Sequence, residues 1–137
     1  MKKMFISIMT IATFISCSND DDSSSNQIVG VWKLIEAKFY GLEEGSSSEG
    51  LIDYSDKNII YDFKTNGTLT VSGGENTGYT NGVYDYIFGK DHLGGSSDPQ
   101  ILLVTINESK WTYDLTIGKM TLGQSYVDGP DLIFESK

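Results

Sequence analysis

The chain has 137 residues and carries 10 basic against 19 acidic side chains, a formal net charge of −9. This length fits one small domain, and the acidic balance argues against nucleic-acid binding. All the basic residues are lysines, so the bidentate arginine contacts that recognise phosphates and guanine edges are missing. Because the sequence has one histidine, His92, and one cysteine, Cys17, the common His/Cys zinc sites and an internal disulfide are excluded.

Residues 1–16 have the pattern of a secretion signal. Lys2 and Lys3 precede a largely apolar run from Met4 to Ile15, and a small residue then leads into Cys17. This run is well short of the roughly 20 apolar residues that span a bilayer as a helix. The cysteine placement resembles the lipobox of bacterial lipoproteins, in which the signal is cleaved before a cysteine that is then acylated. We therefore expect Cys17 to carry a lipid anchor, the alternative being a plain thiol in a soluble secreted protein.

Residues 17–26 are predicted to be an acidic tether that follows the lipidated cysteine. The segment from Ser18 to Asn26 has no apolar side chain, and polar tracts of this kind do not bury enough surface to order themselves. The run of three aspartates at 20–22 resembles the export signal that sends Bacteroidetes lipoproteins to the outer face of the outer membrane. The alternative is a solvated linker that happens to be acidic.

From Gln27 onward, apolar and polar residues alternate with a period of two and no helical stripe appears, which predicts an all-β domain over residues 27–137. The clearest case is the segment Lys110 to Ile117, and Asn66-Gly67 is the strongest hairpin signal. The run Ile101 to Val104 is apolar on both faces, so either a loop covers it or it meets an apolar partner. Eight strands are predicted, over residues 28–40, 58–65, 68–72, 79–88, 101–106, 110–117, 120–122 and 131–136.

Eight antiparallel strands can close into an up-and-down barrel or fold as a β-sandwich, and the short sequential hairpins favour the barrel. The interior of such a barrel is either filled by side chains or shared with one small ligand. The candidate ligand-lining residues are Tyr61, Phe63, Trp111, Tyr113 and Leu115. The other residues predicted to point inward are Trp32, Leu34, Ile59, Leu69, Val71, Met120, Leu122, Leu132 and Phe134.

The segment Gly30-Val31-Trp32 resembles the Gly-x-Trp signature that opens lipocalins, in which the tryptophan plugs one end of the barrel. The wider order of lipobox, acidic tether, this signature and the later strand segments is similar to that of lipocalin-like lipoproteins of the Bacteroidetes type. In lipocalins an arginine packs against the tryptophan. Because the chain has no arginine, the resemblance gives that place to Lys137, as a weaker cation–π partner. The resemblance also implies a lipid-anchored protein of the outer membrane and leaves open whether it is exposed at the cell surface.

Catalytic chemistry finds little support in the sequence. His92 lies in a glycine-rich predicted loop, and no Gly-x-Ser-x-Gly elbow is present. Neighbouring carboxylates that would suit acid–base catalysis all fall on predicted loops, where acidic residues are usually solvated. These pairs are Asp53/Asp56, Glu43/Glu44 and Asp128/Asp131. We therefore expect no catalytic residues, no metal site and no cofactor.

The leading hypothesis is a non-catalytic, membrane-anchored lipoprotein whose barrel binds a small apolar or amphipathic molecule at its open end. The alternative is a filled barrel whose loops bind a protein or glycan partner at the cell surface. An enzyme is the third reading, and it lacks a visible site.

Overall fold

The structure, a computed structural model, describes residues 27–41, 50–74 and 78–137. It is all-β apart from one short 3₁₀ helix, Ser125–Val127. No helix in the described ranges is long and apolar enough to cross a membrane. The strands are β1 (Gly30–Phe39), β2 (Gly50–Asp53), β3 (Ile60–Phe63), β4 (Thr68–Ser72), β5 (Gly82–His92), β6 (Gln100–Ile106), β7 (Ser109–Thr116), β8 (Lys119–Gly123) and β9 (Asp131–Ser136).

Eight of these strands form a closed, antiparallel up-and-down barrel. The order is β1, β3 and then β4 to β9 in sequence, and β9 pairs back onto β1 with Leu34 opposite Phe134. Closure pairs β1 with β9 and so removes the two edges that an open eight-stranded sheet would expose. The predicted all-β barrel is thereby confirmed, and the sandwich alternative is excluded.

The ninth strand, β2, was not predicted. It pairs with the second half of β1, with Ile52 opposite Ala37, and β3 pairs with the first half of β1 along the same edge. All four residues of β2 are exposed. Its sequence therefore lacks the alternation that marks a half-buried strand, and its pairing with β1 is what defines it as a strand.

The barrel has two ends that differ in their loops. The N-terminal end, where β1 begins at Gly30, also carries the turns after β3 and after β7. The far end carries β2, the β4–β5 connection and the β8–β9 connection with its 3₁₀ helix.

The barrel interior holds the hydrophobic core. Twelve of the fourteen residues predicted to point inward are buried. The other two, Tyr113 and Leu115, lie on the interior face opposite Leu122 and Met120, but Tyr113 is only half-buried and Leu115 is 41% exposed. Core residues that the alternation pattern did not single out are Ile28, Ala37, Tyr86, Val104 and Ile106.

Strand β5 differs from its prediction at both ends. It begins at Gly82 rather than Tyr79 and continues to His92, where it pairs with Gln100 of β6. The added part was predicted to be a loop because it is polar and rich in glycine. Leu103, within the run that is apolar on both faces, lies on the outer wall and is nevertheless 1% exposed, as expected for a covered position.

Candidate functional site

Tyr79 closes the far end of the barrel. Its ring lies 5.0 Å from that of Tyr84, 6.0 Å from that of Trp111 and 6.5 Å from that of Tyr61, measured between centroids. The indole N–H of Trp111 donates a 3.0 Å hydrogen bond to the Tyr79 hydroxyl. Tyr79 lies just before β5, so the β4–β5 connection returns an aromatic plug to the interior.

The interior beneath this plug is filled by aromatic rings. Tyr61 meets Phe134 edge to face at 4.9 Å, and Phe63 meets Tyr86 in the same way at 5.0 Å. Both geometries are those that aromatic pairs prefer. Of the five predicted ligand-lining residues, Tyr61, Phe63 and Trp111 are buried in this packing. These three residues belong to the hydrophobic core, and a ligand site lined by all five stays a prediction.

Tyr113 is the polar exception within the interior. Its ring packs edge to face on Phe88 at 4.7 Å. Its hydroxyl is buried and has no hydrogen-bond partner among the described residues. Leu115, two residues along β7, is exposed toward the N-terminal end. These two residues therefore lie apart from the aromatic plug.

The N-terminal end is closed by Trp32. Its indole N–H donates a 2.8 Å hydrogen bond to the carbonyl oxygen of Ile28, whose side chain is fully buried. Gly30, between them, has a φ of 142°, a conformation that L side chains rarely adopt. The Lys137 backbone N–H donates to the Val31 carbonyl oxygen, while its side chain is exposed. The cation–π contact of Lys137 with Trp32 stays a prediction.

A cleft of about 280 Å³ opens at the far end, beside the Tyr79 plug. Its walls come from β1, β2, the start of β9 and the segments that flank them. Ala37 and Leu132 form buried parts of the lining, whereas Phe39 and Ile52 are each 42% exposed. The lining residues are Ala37, Phe39, Ile52, Tyr54, Gly78, Pro130 and Leu132. We call this set the far-end cleft.

The side chains that line the far-end cleft are mostly apolar, and β2 gives the cleft its second wall. Ile52 pairs with Ala37, and the Tyr54 N–H continues the ladder by donating to the Ile35 carbonyl oxygen at 2.8 Å. Gly78, at a φ of 74°, lets the backbone approach Leu132 on the opposite wall. No pattern in the sequence indicates this cleft, because β2 lies in a segment between predicted strands.

Two shallower grooves lie on the outer wall, with volumes of about 280 and 470 Å³. Both include charged side chains, such as Lys110 in the first and Lys119 in the second. Since apolar sites at barrel mouths are the commoner places for small ligands, the far-end cleft is the stronger candidate.

Burial raises the pKa of the interior tyrosines. Desolvation is the largest cause at Tyr61, Tyr79, Tyr86 and Tyr113. At Tyr79, hydrogen bonds with Trp111 and Ser109 act in the opposite direction. These four hydroxyls therefore stay protonated in the folded protein well into alkaline solution.

His92 and its neighbours hold the end of β5 against the start of β7. The Lys110 ammonium donates to the His92 carbonyl oxygen at 2.7 Å and lies 2.8 Å from the Asp91 carboxylate, whose pKa it lowers by hydrogen bonding. The His92 Nδ1 is hydrogen-bonded to the Asp98 carbonyl oxygen. These contacts give the cluster a structural role in the β5–β6 hairpin.

The acidic pairs noted in the sequence make local contacts. Asp53 accepts a 2.8 Å hydrogen bond from the Ser55 N–H, and its pKa is lowered by hydrogen bonds with Ser55. Asp131 accepts one from the Tyr40 hydroxyl, also at 2.8 Å. Glu43 and Glu44 lie outside the described residues. Within the part of the chain that is described, no three His, Cys, Asp or Glu side chains are grouped to hold a metal ion.

Cys17, the predicted signal over residues 1–16 and the predicted tether over residues 17–26 also lie outside the described residues. Comparisons of the chain with protein-family models, with curated proteins and with solved structures return no significant match.

Proposed function

We propose that the barrel is a non-catalytic binding module that takes the apolar end of a small amphipathic molecule into the far-end cleft. The observation that carries this proposal is the pairing of an apolar cleft at the barrel mouth with an interior already filled by aromatic rings. Because buried aromatic rings pack against one another in the interior, we place the ligand at the mouth of the barrel.

The size and lining of the far-end cleft limit the ligand. Its volume of about 280 Å³ lies just below the range of roughly 300–1,000 Å³ for drug-sized pockets. It therefore suits one ring or a short alkyl segment, with the rest of the molecule in solvent. Phe39 and Ile52 gain most from occupancy, because a ligand would remove their exposed apolar surface from water.

Native mass spectrometry of the purified protein, searching for a co-purified small molecule, is the first test. Titration with the amphipathic dye 8-anilinonaphthalene-1-sulfonate is the second, using Ile52→Asp and its neighbour Leu51→Asp. Ile52 lines the cleft, whereas Leu51 is on the same strand, outside the lining, and 57% exposed. We expect Ile52→Asp to weaken dye binding and Leu51→Asp to leave it unchanged. Equal behaviour of the two variants, or no bound molecule and no dye binding, would contradict the proposal.

The packed interior also favours a second function, an interaction module for a protein or glycan partner. In that case the far-end cleft would receive a side chain or a sugar ring of the partner, and the neighbouring loops would add contacts. A protein that binds neither co-purified molecules nor dye, yet retains the folded barrel, would favour this alternative.

We further propose that the protein is held on the outer membrane by acylation of Cys17. The support is the order of basic residues, apolar run and single cysteine in the sequence. Because multiple acyl chains anchor a protein durably, the wild type is expected in the membrane fraction. Cys17→Ser should release it, and retention of this variant in the membrane would refute the anchor.

A further inference from the structure

The β7–β8 hairpin ends in an isoleucine that the fold leaves in water. Ile117 is 97% exposed, more than any other large apolar side chain in the described residues. Its φ of 52° lies in the left-handed region, which β-branched residues avoid. Gly118 follows at a φ of 72°, so the pair has the signs of a type I′ turn, for which Asn-Gly is preferred. Neither packing nor turn geometry accounts for an isoleucine here.

Ile117 lies at the end of the barrel where β1 begins. The registers place Lys119 opposite Glu135, and Glu135 opposite Lys33. Ile117 is two residues nearer the barrel end than Lys119, and thus close to the level of Gly30. Five of the exposed apolar and basic residues at this end are grouped here as the N-terminal rim. Its members are Val31, Lys64, Ile117, Lys119 and Lys137.

The charges on the N-terminal rim differ from those of the chain as a whole. Lys64, in the turn after β3, and Lys119, beside Ile117, are exposed and form no ion pair within the described residues. Three acids lie at or near this end. Glu135 is 3.9 Å from the Lys33 ammonium, Asp62 is opposite Val31 in the β1–β3 register, and Asp114 lines an outer groove together with Ile117 and Lys119. The apolar tip therefore has one unpaired lysine, Lys119, two residues away, and a second, Lys64, at the same end of the barrel but across it, on a protein whose formal charge is −9.

We propose that the N-terminal rim docks on a lipid surface, with Ile117 among the headgroups and Lys64 and Lys119 on anionic lipids. An apolar side chain combined with nearby lysines is what interfacial binding requires. If Cys17 is anchored in the membrane as proposed above, the end of the barrel where β1 begins is the end that follows the anchor along the chain. Ten residue positions separate Cys17 from Gln27, where the described part of the chain begins, and Gln27 lies three residues before the start of β1.

The contact can be tested by depth-dependent fluorescence quenching. Ile117→Trp and Val83→Trp each add one tryptophan at an exposed position, and Val83, 68% exposed on β5, is away from the N-terminal rim. The native Trp32 and Trp111 are buried and give a shielded background. The full-chain protein, as isolated from producing cells, is bound to vesicles of brominated phosphatidylcholine with phosphatidylglycerol.

We expect the added fluorescence to be largely lost at position 117 and largely kept at position 83. Reversing charge with Lys119→Glu should restore much of the signal of Ile117→Trp. In the unaltered protein, vesicles should slow amide hydrogen exchange in the β7–β8 hairpin.

Equal quenching at the two positions, stronger quenching at 83, or no change in hairpin exchange would overturn the docking proposal. If Lys119→Glu leaves the quenching of Ile117→Trp unchanged, Lys119 does not contribute to binding anionic lipids. Failure of the proposed lipid anchor can be distinguished from failure of the docking proposal, because the anchor is tested by how Cys17→Ser distributes between the membrane and soluble fractions. Protection of the hairpin by a soluble protein instead of by vesicles would replace the lipid surface with a protein partner.

Discussion

The same substitution at two barrel tyrosines should change stability in opposite directions. In Tyr113→Phe, the lost hydroxyl is buried and has no hydrogen-bond partner among the described residues. In Tyr79→Phe, the lost hydroxyl accepts a 3.0 Å hydrogen bond from the indole of Trp111, which is 4% exposed. The first change removes an unsatisfied polar group, and the second creates one.

The magnitudes follow from the cost of leaving a buried polar group unpaired, about 1–3 kcal/mol. Tyr113 is only half-buried as a residue, so we expect Tyr113→Phe to raise the free energy of unfolding by about 1 kcal/mol, at the low end of that range. Tyr79→Phe should lower it by about 2 kcal/mol, because the N–H of the buried Trp111 indole loses its hydrogen-bond acceptor. A difference of about 1 kcal/mol corresponds to roughly 4 °C in Tm for a domain of this size.

Urea unfolding at neutral pH, followed by far-ultraviolet circular dichroism, measures both values. The two variants are matched controls for each other, since each removes one oxygen from an interior tyrosine. If both lower the stability by the same amount, the Tyr113 hydroxyl has a partner in solution and the reasoning fails. If Tyr79→Phe is neutral, the plug does not depend on its hydrogen bond to Trp111.

Three further predictions concern the turns, the β5–β6 hairpin and alkaline stability. Gly73→Ala should destabilise the barrel by about 3 kcal/mol or more, since a Cβ there would overlap the Asn58 carbonyl oxygen. Gly118 has a similar positive φ but open space around it, so Gly118→Ala should lower the free energy of unfolding in urea by only about 1 kcal/mol. Asp91→Asn should speed amide hydrogen exchange at the end of β5, because it weakens the contact with Lys110. In the wild type the pKa of Asp91 is lowered by folding, so the stabilisation from this contact is present above the pKa of the unfolded chain and is lost as pH falls through the pKa of the folded protein. Tyr61, Tyr79, Tyr86 and Tyr113 have raised pKa values, so their contribution to stability is fully present below the unfolded pKa and is lost as pH rises through the folded values. Ultraviolet titration of the folded barrel should show these tyrosines ionising at higher pH than in the urea-unfolded chain, and identical titration of the two states would contradict this.

The sequence predicts the barrel well because its walls are half-buried strands. Eight of the nine strands follow from period-two alternation and turn residues, since each places one face on the core. Alternation cannot predict β2, because all four of its residues are exposed and only its pairing with β1 makes it a strand. The predicted start of β5 at Tyr79 is wrong for a related reason. Tyr79 packs into the interior from the β4–β5 connection, and in the sequence an interior aromatic residue looks the same whether it lies in a connection or at the start of a strand.

The candidate site could not be predicted for the same reason. The five residues proposed to line a cavity share the interior face, but alternation reports only which face a side chain takes. Whether that face encloses a chamber depends on ring packing, such as the 4.9 Å contact of Tyr61 with Phe134. The far-end cleft depends on β2 and on Gly78, both of which lie in segments without alternation.

Ile117 provides a last test, in which stability and membrane contact are expected to oppose each other. The left-handed conformation costs an ordinary L residue about 1–2 kcal/mol, and asparagine tolerates it. Because Ile117 is 97% exposed, Ile117→Asn loses almost no buried surface and should stabilise the barrel by about 1 kcal/mol in urea unfolding. Ile117→Val keeps the β-branch and the strain, so it should leave stability unchanged. If the asparagine variant is more stable and its hairpin exchange no longer slows on vesicles, the isoleucine is retained for lipid contact at the expense of the turn. If it is no more stable than the valine variant, the turn is not strained, and that argument for a functional isoleucine falls.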